Sequence, residues 1–333
     1  MTYKERTTIA LRHEQPDRTP FHIDFTIPMR EKMAHHFKDE NFSDSIGNHL
    51  HYIRPAYDMT EVTPGIFRDE YGTIWDRTID RDIGTVKNIV MNDTADLDKY
   101  VFPDPKKSGR FDHYDTAIRN HKDCFILARG GFSIFERAWM LRGMENLLCD
   151  MITNPAFVEE LLDRITDTLF ALIELAANHT IDGVMFGDDW GQQQGLIMGP
   201  NLWRKFIKPR IAKLYRKVKE SDKKVFIHTC GDVGEIIPDL IEVGLDCLNP
   251  FQPEVFDVNK IKKQYGDTLS FFGGMSIQNI LPFGTPEEVK AGTRKLIKEI
   301  GRSGGYICSP AHYVPGDVPV DNMLAMLDVL QNQ

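Results

Sequence analysis

Short runs of β-branched and aromatic residues recur along this chain and alternate with longer segments whose apolar positions return every three or four residues. The clearest run is Lys223-Lys-Val-Phe-Ile-His-Thr-Cys-Gly-Asp232, which reads as a buried strand ending in Gly-Asp. Phe21–Phe25, Cys124–Arg129, Ile181–Phe186, Leu245–Asn249, Leu269–Phe272 and Tyr306–Cys308 read the same way. Helical patterns separate them. Asp112–His121 is one, and Phe132–Arg142 follows the second run. Pro155–His179 carries a stripe of Phe157, Leu161, Ile165, Leu169 and Leu172, with Asn154 as its expected N-cap. Leu202–Lys219 contains Pro209, which predicts a break. Val233–Val243, Asp257–Tyr265 and Val320–Leu330 are further helices, and Thr285-Pro-Glu-Glu288 is a capping box opening another that runs to about Ile300.

The first third is less regular. Residues 3–13 predict a short amphipathic helix, and Met29–Phe37 and Ser45–Tyr57 are helix candidates. Phe67–Arg77 predicts a hairpin turning near Tyr71-Gly72, and Phe102-Pro-Asp-Pro105 is an extended connector. Strand–helix alternation over the rest means a parallel sheet with helical crossovers. Runs near residues 21, 124, 181, 224, 245, 269 and 306, with one less distinct, predict an α/β chain folded as a (β/α)8 TIM barrel. The expected organisation is a single domain over 1–333, with residues about 27–107 partly decorating the barrel mouth. A doubly wound sheet is the alternative, but no glycine-rich phosphate loop follows the first strand.

Composition narrows the function classes. A formal net charge of −9 with no Lys/Arg block argues against nucleic-acid binding. No run is long and apolar enough for a bilayer, and the N-terminal residues lack the apolar core of a signal peptide. Five scattered cysteines fit a reducing compartment, so the expected location is the cytoplasm. Cys124, Cys149 and Cys247 sit in apolar segments and are expected to pack. The oligomeric state is open, a homodimer being compatible with the sequence.

Candidate chemistry gathers where the runs end. Residues two apart on a strand share a face, so His228 and Cys230 project together, half a zinc site in ligand type. Cys308-Ser-Pro-Ala-His312 follows another run, and Cys308 and His312 are competing third ligands. Their plainer readings are a small buried residue and a loop histidine bonded to backbone. Asp188 and Asp189 are acid/base candidates, because adjacent carboxylates repel; a solvated turn explains them equally well. Asp24, Phe132, Trp190, Gln192 and Tyr313 stand at or just beyond strand ends and are candidate substrate contacts. Packing or loop polarity is the bland account of each.

Leu11-Arg-His-Glu-Gln-Pro-Asp-Arg-Thr-Pro20, Ile134-Phe-Glu-Arg-Ala-Trp-Met-Leu-Arg-Gly143, Phe186-Gly-Asp-Asp-Trp190, His228-Thr-Cys-Gly231 and Pro310-Ala-His-Tyr-Val-Pro-Gly-Asp-Val-Pro319 resemble the uroporphyrinogen decarboxylase superfamily over nearly the whole chain. The resemblance independently implies a (β/α)8 barrel. It implies one of two chemistries: cofactor-free decarboxylation, or zinc-dependent methyl transfer to or from the cobalt of a corrinoid (cobalamin) protein. Decarboxylases carry an arginine-rich segment after the first strand; here Phe25-Thr-Ile-Pro-Met-Arg-Glu31 holds Arg30 alone. The methyltransferases carry His-x-Cys…Cys, matched by His228 and Cys230; counting back from Pro319 puts His312 at the third position, whereas spacing accepts Cys308. The corrinoid would arrive on a partner protein, since the chain has no Asp-x-His-x-x-Gly motif. The implied substrates are a methoxylated aromatic undergoing O-demethylation, a thiol acceptor, or a methylated amine or other methyl donor. A metal-free lyase and a non-catalytic metal-binding barrel are the competing readings.

Overall fold

A computed structural model describes residues 1–333. Leu50–Ile53, Phe125–Phe132, Gly183–Gly187, Lys224–His228, Cys247–Phe251, Ser270–Met275 and Tyr306–Pro310 lie side by side in chain order, every neighbouring pair parallel. Phe21–Phe25 fills the seam between the first and last of them. It bridges Phe21 to Cys308 and Phe25 to Val314. On its other flank His49 N–H donates to the Phe21 carbonyl at 3.0 Å, and the Asn48 side-chain amide brackets Ile23 at 2.9 and 3.0 Å. A side chain replaces part of the backbone ladder there, so the sheet closes into a barrel through an irregular eighth strand.

Strand alternation divides the core in two. Leu50, Phe125, Leu127, Met185, Phe226, Cys247, Phe272 and Ile307 meet inside the barrel. The intervening residues, such as Val225, Ile227 and Leu248, face the surrounding helices in a cluster of 65 buried residues. Pro155–Ala177, among those helices, buries Leu161, Leu162, Ile165 and Leu169.

Most of the expected elements are present, with informative exceptions. Ser45–Tyr57 is not helical: Leu50–Ile53 within it is a barrel strand paired with Phe125–Ala128. Its alternation is Leu-His-Tyr-Ile, and half-polar strands of four residues carry little periodic signal. The break at Pro209 takes the form of a π-turn over Trp203–Ile207, after which Lys208–Glu220 restarts with proline in its first turn. Asn154 precedes its helix but makes no cap; its amide donates to Asp150 at 3.0 Å. The capping box at Thr285 and Glu288 forms as expected. Met144–Thr153 is a further helix, on which Cys149 is exposed rather than packed.

The expected hairpin belongs to an antiparallel sheet of Met59–Thr63, Ile66–Asp69, Ile74–Asp76 and Thr85–Val86. Asp69 Oδ1 accepts the Tyr71 and Thr73 N–H groups in its turn. Asp69 Oδ2 takes the Trp75 indole N–H at 3.1 Å and Arg137 at 2.9 Å, a buried ion pair. Trp75 stacks on Phe132 at 5.5 Å between ring centres. This sheet is thereby tied to the mouth end of the Phe125–Phe132 strand.

Candidate metal centre

On Lys224–His228 the same alternation that buries Phe226 inside the barrel turns His228 inward one step nearer the mouth. The chain then bends sharply. Gly231 has φ +81, and a Cβ there would lie 2.3 Å from the Gly191 carbonyl carbon, so only glycine fits. Cys230 is held in this bend by its own N–H, which donates to Asp189 Oδ1 at 2.8 Å, and by Gly231 N–H to Gln252 Oε1 at 2.7 Å.

His228 is oriented from behind. Asn249 Nδ2 donates to the Phe272 carbonyl at 3.0 Å, which leaves Asn249 Oδ1 to accept from His228 Nδ1 at 2.6 Å. The proton therefore sits on Nδ1, and the Nε2 lone pair points at Cys230 Sγ, 3.5 Å away. His312 arrives from the loop after Tyr306–Pro310, its ring centre 5.3 Å from that of His228. Donor atoms of His228, Cys230 and His312 all lie within 4.8 Å of one another. Zn–S and Zn–N bonds at a tetrahedral angle put the two donors roughly 3.6 Å apart. The His228–Cys230 pair already stands at that spacing, so the residues fit a zinc ion. Burial holds His228 neutral, with its pKa lowered to about 4, and lowers that of His312. Burial, with the Asp189 carboxylate beside it, pushes the Cys230 thiol well up.

Cys308 is the corrected member of the expected ligands. Ile307 belongs to the barrel interior and Ser309 lines the mouth cleft, so Cys308 between them faces the helices. It is fully buried there, beside Tyr306.

The adjacent aspartates divide. Asp188 is fully buried; its oxygens accept the N–H groups of Phe135 (3.1 Å) and Glu136 (2.8 Å) and the Trp190 indole N–H (2.8 Å). These bonds anchor the start of the Ile134–Arg142 helix and engage both carboxylate oxygens. Burial nonetheless pushes its carboxyl up to about 7. Asp189, half-buried, stays beside Cys230.

Of the expected substrate contacts, Asp24 and Tyr313 line the cleft. Trp190 does not: it is buried against Trp203. Phe132 is covered by Trp75. Gln192 is exposed and contributes a backbone carbonyl to Asp232 N–H.

Two residues escaped the sequence. Glu136 is buried, and burial together with the Asp189 and Asp188 carboxylates raises its pKa strongly; an acid among the apolar residues of Ile-Phe-Glu-Arg-Ala-Trp139 was the available signal. Arg129 follows Phe125 and Leu127 at two-residue spacing, so its inward aim was readable from alternation.

The chain belongs to the uroporphyrinogen decarboxylase (URO-D) family, whose model matches residues 78–333. It is 27% identical over 191 residues to a methylated-thiol–coenzyme M methyltransferase of Methanosarcina mazei, covering 57% of this chain and 49% of that protein. It is 24% identical over 255 residues to a uroporphyrinogen decarboxylase of Chlorobaculum parvum, covering 72% and 69%. The chain spans about half the length of the first of these relatives. A solved methyltransferase from Methanosarcina mazei shares the fold, with TM-score 0.76 and 19% identity over 100% of this chain and 99% of that one. No helix is long and apolar enough to cross a membrane.

Proposed function

We propose that this chain is a methyltransferase that moves a methyl group between a small substrate and the cobalt of a separate corrinoid protein, with zinc held by His228, Cys230 and His312. The observation that carries the reading is the convergence of those three donors at the barrel mouth. One thiolate and two imidazoles form a nitrogen-and-sulfur set that suits zinc, and a catalytic ion keeps a further position for substrate. Family membership alone separates nothing, because decarboxylases and a methyltransferase both match. The relative named for methylated-thiol transfer supports the reading. A polycarboxylate substrate needs several cations, and the cleft has Arg129 in its lining and Arg54 beside Tyr313, few for such a substrate, which weighs against decarboxylation. The same reading takes residues 1–333 as one barrel domain whose mouth is shaped by parts of 27–107.

When bound, zinc supplies Lewis acidity that lowers the pKa of a thiol or polarises a methoxy oxygen. The residues prepare for this. His228 is neutral near pH 7 and offers Nε2 because Asn249 keeps the proton on Nδ1. Cys230 must release its proton on metal loading, and Asp189, bonded to its N–H, is the adjacent carboxylate. Asp188 is occupied with the helix start, so acid–base duty falls to Asp189. The cleft has a free volume of about 20 Å3, room for about one water-sized sphere, and neither Phe132 nor Trp190 walls it. The cleft's own aromatic rings are Tyr52, Phe272 and Tyr313, so a methoxylated ring and a short-chain methyl carrier both stand as substrates under this reading.

Metal content of the purified protein tests this. The expected result is about one zinc per chain, lost in Cys230→Ala and His312→Ala and kept in Cys308→Ala. A folded wild type that takes up no zinc would sink the reading.

A further inference from the structure

A second cavity opens at the base, beside the entry end of the seam strand and outside the barrel interior. Its free volume is about 220 Å3, against about 20 Å3 for the mouth cleft. Tyr3 and Arg6 of the first helix (Tyr3–Ala10), Arg18 from the segment before Phe21, Gly47, His49 and Leu330 of the last helix (Val320–Gln331) line it. Its polar groups are chiefly donors. Arg6 holds Asp17 through Nε and Nη2, at 2.7 and 2.9 Å, which leaves Nη1 free. Arg18 gives Nη1 to the Gln331 carbonyl at 3.1 Å and keeps Nε and Nη2. A Cβ on Gly47, whose φ is +86, would lie 3.3 Å from the Tyr3 hydroxyl, so this glycine leaves the hydroxyl uncovered. His49 is only 3% exposed. The Gly47 and Phe21 carbonyls lie beside its ring, but neither ring nitrogen makes an aligned hydrogen bond. No carboxylate side chain lines the cavity.

Two guanidinium groups with spare N–H donors and no facing carboxylate favour an oxyanion. A carboxylate offers two oxygens in one plane. A phosphate monoester offers three around the phosphorus, which suits donors arriving from separate segments of the chain. Bare phosphate would leave much of the cavity empty, and Phe21 and Leu330 supply apolar wall for an organic part. We propose that this cavity binds a small phosphate monoester, its phosphoryl oxygens held by Arg6, Arg18 and the Tyr3 hydroxyl and its organic part against Phe21 and Leu330. His49 supplies a further ring N–H. The site is remote from the candidate metal centre and does not rest on the methyl-transfer reading. Its ligand also bears on the seam. The His49 N–H donates to the Phe21 carbonyl at 3.0 Å and the His49 carbonyl accepts from Phe125 N–H at 2.9 Å, so an occupant braces the strand that closes the barrel.

Titration calorimetry of the intact protein compares glycerol 3-phosphate, inorganic phosphate, glycerate and glycerol. Charge-assisted hydrogen bonds predict that glycerol 3-phosphate binds at least ~10-fold more tightly than glycerate, and that glycerol gives no heat. Arg18 is exposed, so Arg18→Gln should fold, and it should weaken glycerol 3-phosphate at least ~10-fold. Tyr3→Phe should weaken it by a smaller factor. The unfolding temperature should rise with this ligand in the wild type and not in Arg18→Gln. Unchanged affinity in Arg18→Gln overturns the proposal; if that affinity is lost in Arg129→Gln instead, the anion sits in the mouth cleft. Should Arg18→Gln not fold, unchanged affinity in both Arg18→Lys and Tyr3→Phe does the same. Inorganic phosphate bound as tightly as the monoester means an adventitious ion only, which also overturns it. So does glycerate as the best ligand, or no binding of any of the four.

Discussion

The two ends of the barrel interior are built from the same strands and behave differently. Toward the base, Phe125, Leu127, Phe226, Cys247, Phe272 and Ile307 fill the space with apolar side chains. Two residues further along those strands, Arg129, His228, Asn249 and Ser309 face inward and line the cleft. A buried neutral histidine also lies on each side of the strand wall: His49, beside Tyr3 and Phe21 outside the inward-facing cluster, has its pKa lowered by burial to about 4, as does His228 at the mouth. His49 belongs to no cluster of three potential metal ligands, whereas His228 converges with Cys230 and His312. Burial alone therefore makes a neutral imidazole; chemistry needs converging partners.

The contrast can be broken first at the mouth. His228→Ala should leave the fold intact, abolish zinc binding and reduce methyl transfer by at least ~1,000-fold, read by metal analysis and turnover. A variant that keeps both would put the centre elsewhere. At the base, Phe226→Ala should do the reverse: a loss of about 3–5 kcal/mol in denaturant unfolding, with zinc stoichiometry of the folded protein unchanged. Behind the centre, Asn249→Ala should weaken zinc affinity by about 10–100-fold, through a free tautomer and ring orientation at His228. Equal affinity in a competition titration with a chelator would show that Asn249 positions nothing.

The smallest effect concerns His49. Its folded pKa, about 4, lies below the ordinary value of 6.5. The unfolded chain then binds the proton first, so its contribution to stability is full above pH 6.5 and is lost as pH falls toward 4. The slope is about 1.4 kcal/mol per pH unit. His49→Phe should flatten that part of the stability profile; an unchanged acid limb would mean another group sets it.

Much of the fold was legible because period-two runs and helical stripes are local patterns. The strands near 124, 181, 224, 245, 269 and 306 were found, as was the seam strand at Phe21. Leu50–Ile53 was missed because its pairing with Phe125–Ala128, and not its own polar-rich sequence, makes it a strand. At the site, His228 and Cys230 were legible from spacing. Cys308 and His312 could not be separated by counting, because the loop after Tyr306–Pro310 decides which side chain returns to the mouth. No local pattern around Asp188 shows that the Ile134–Arg142 helix supplies N–H groups to both its oxygens.

By itself, the sequence determined what repeats along the chain: the alternating barrel and the shared face of His228 and Cys230. Those are consequences of backbone geometry within one strand. Only the tertiary structure decided what lies opposite. It brought His312 rather than Cys308 to the centre, spent Asp188 on a helix end, and left Arg129 without a carboxylate. Ligation and ion pairing act over a few ångströms between strands far apart in sequence, and strand order and loop paths set those distances.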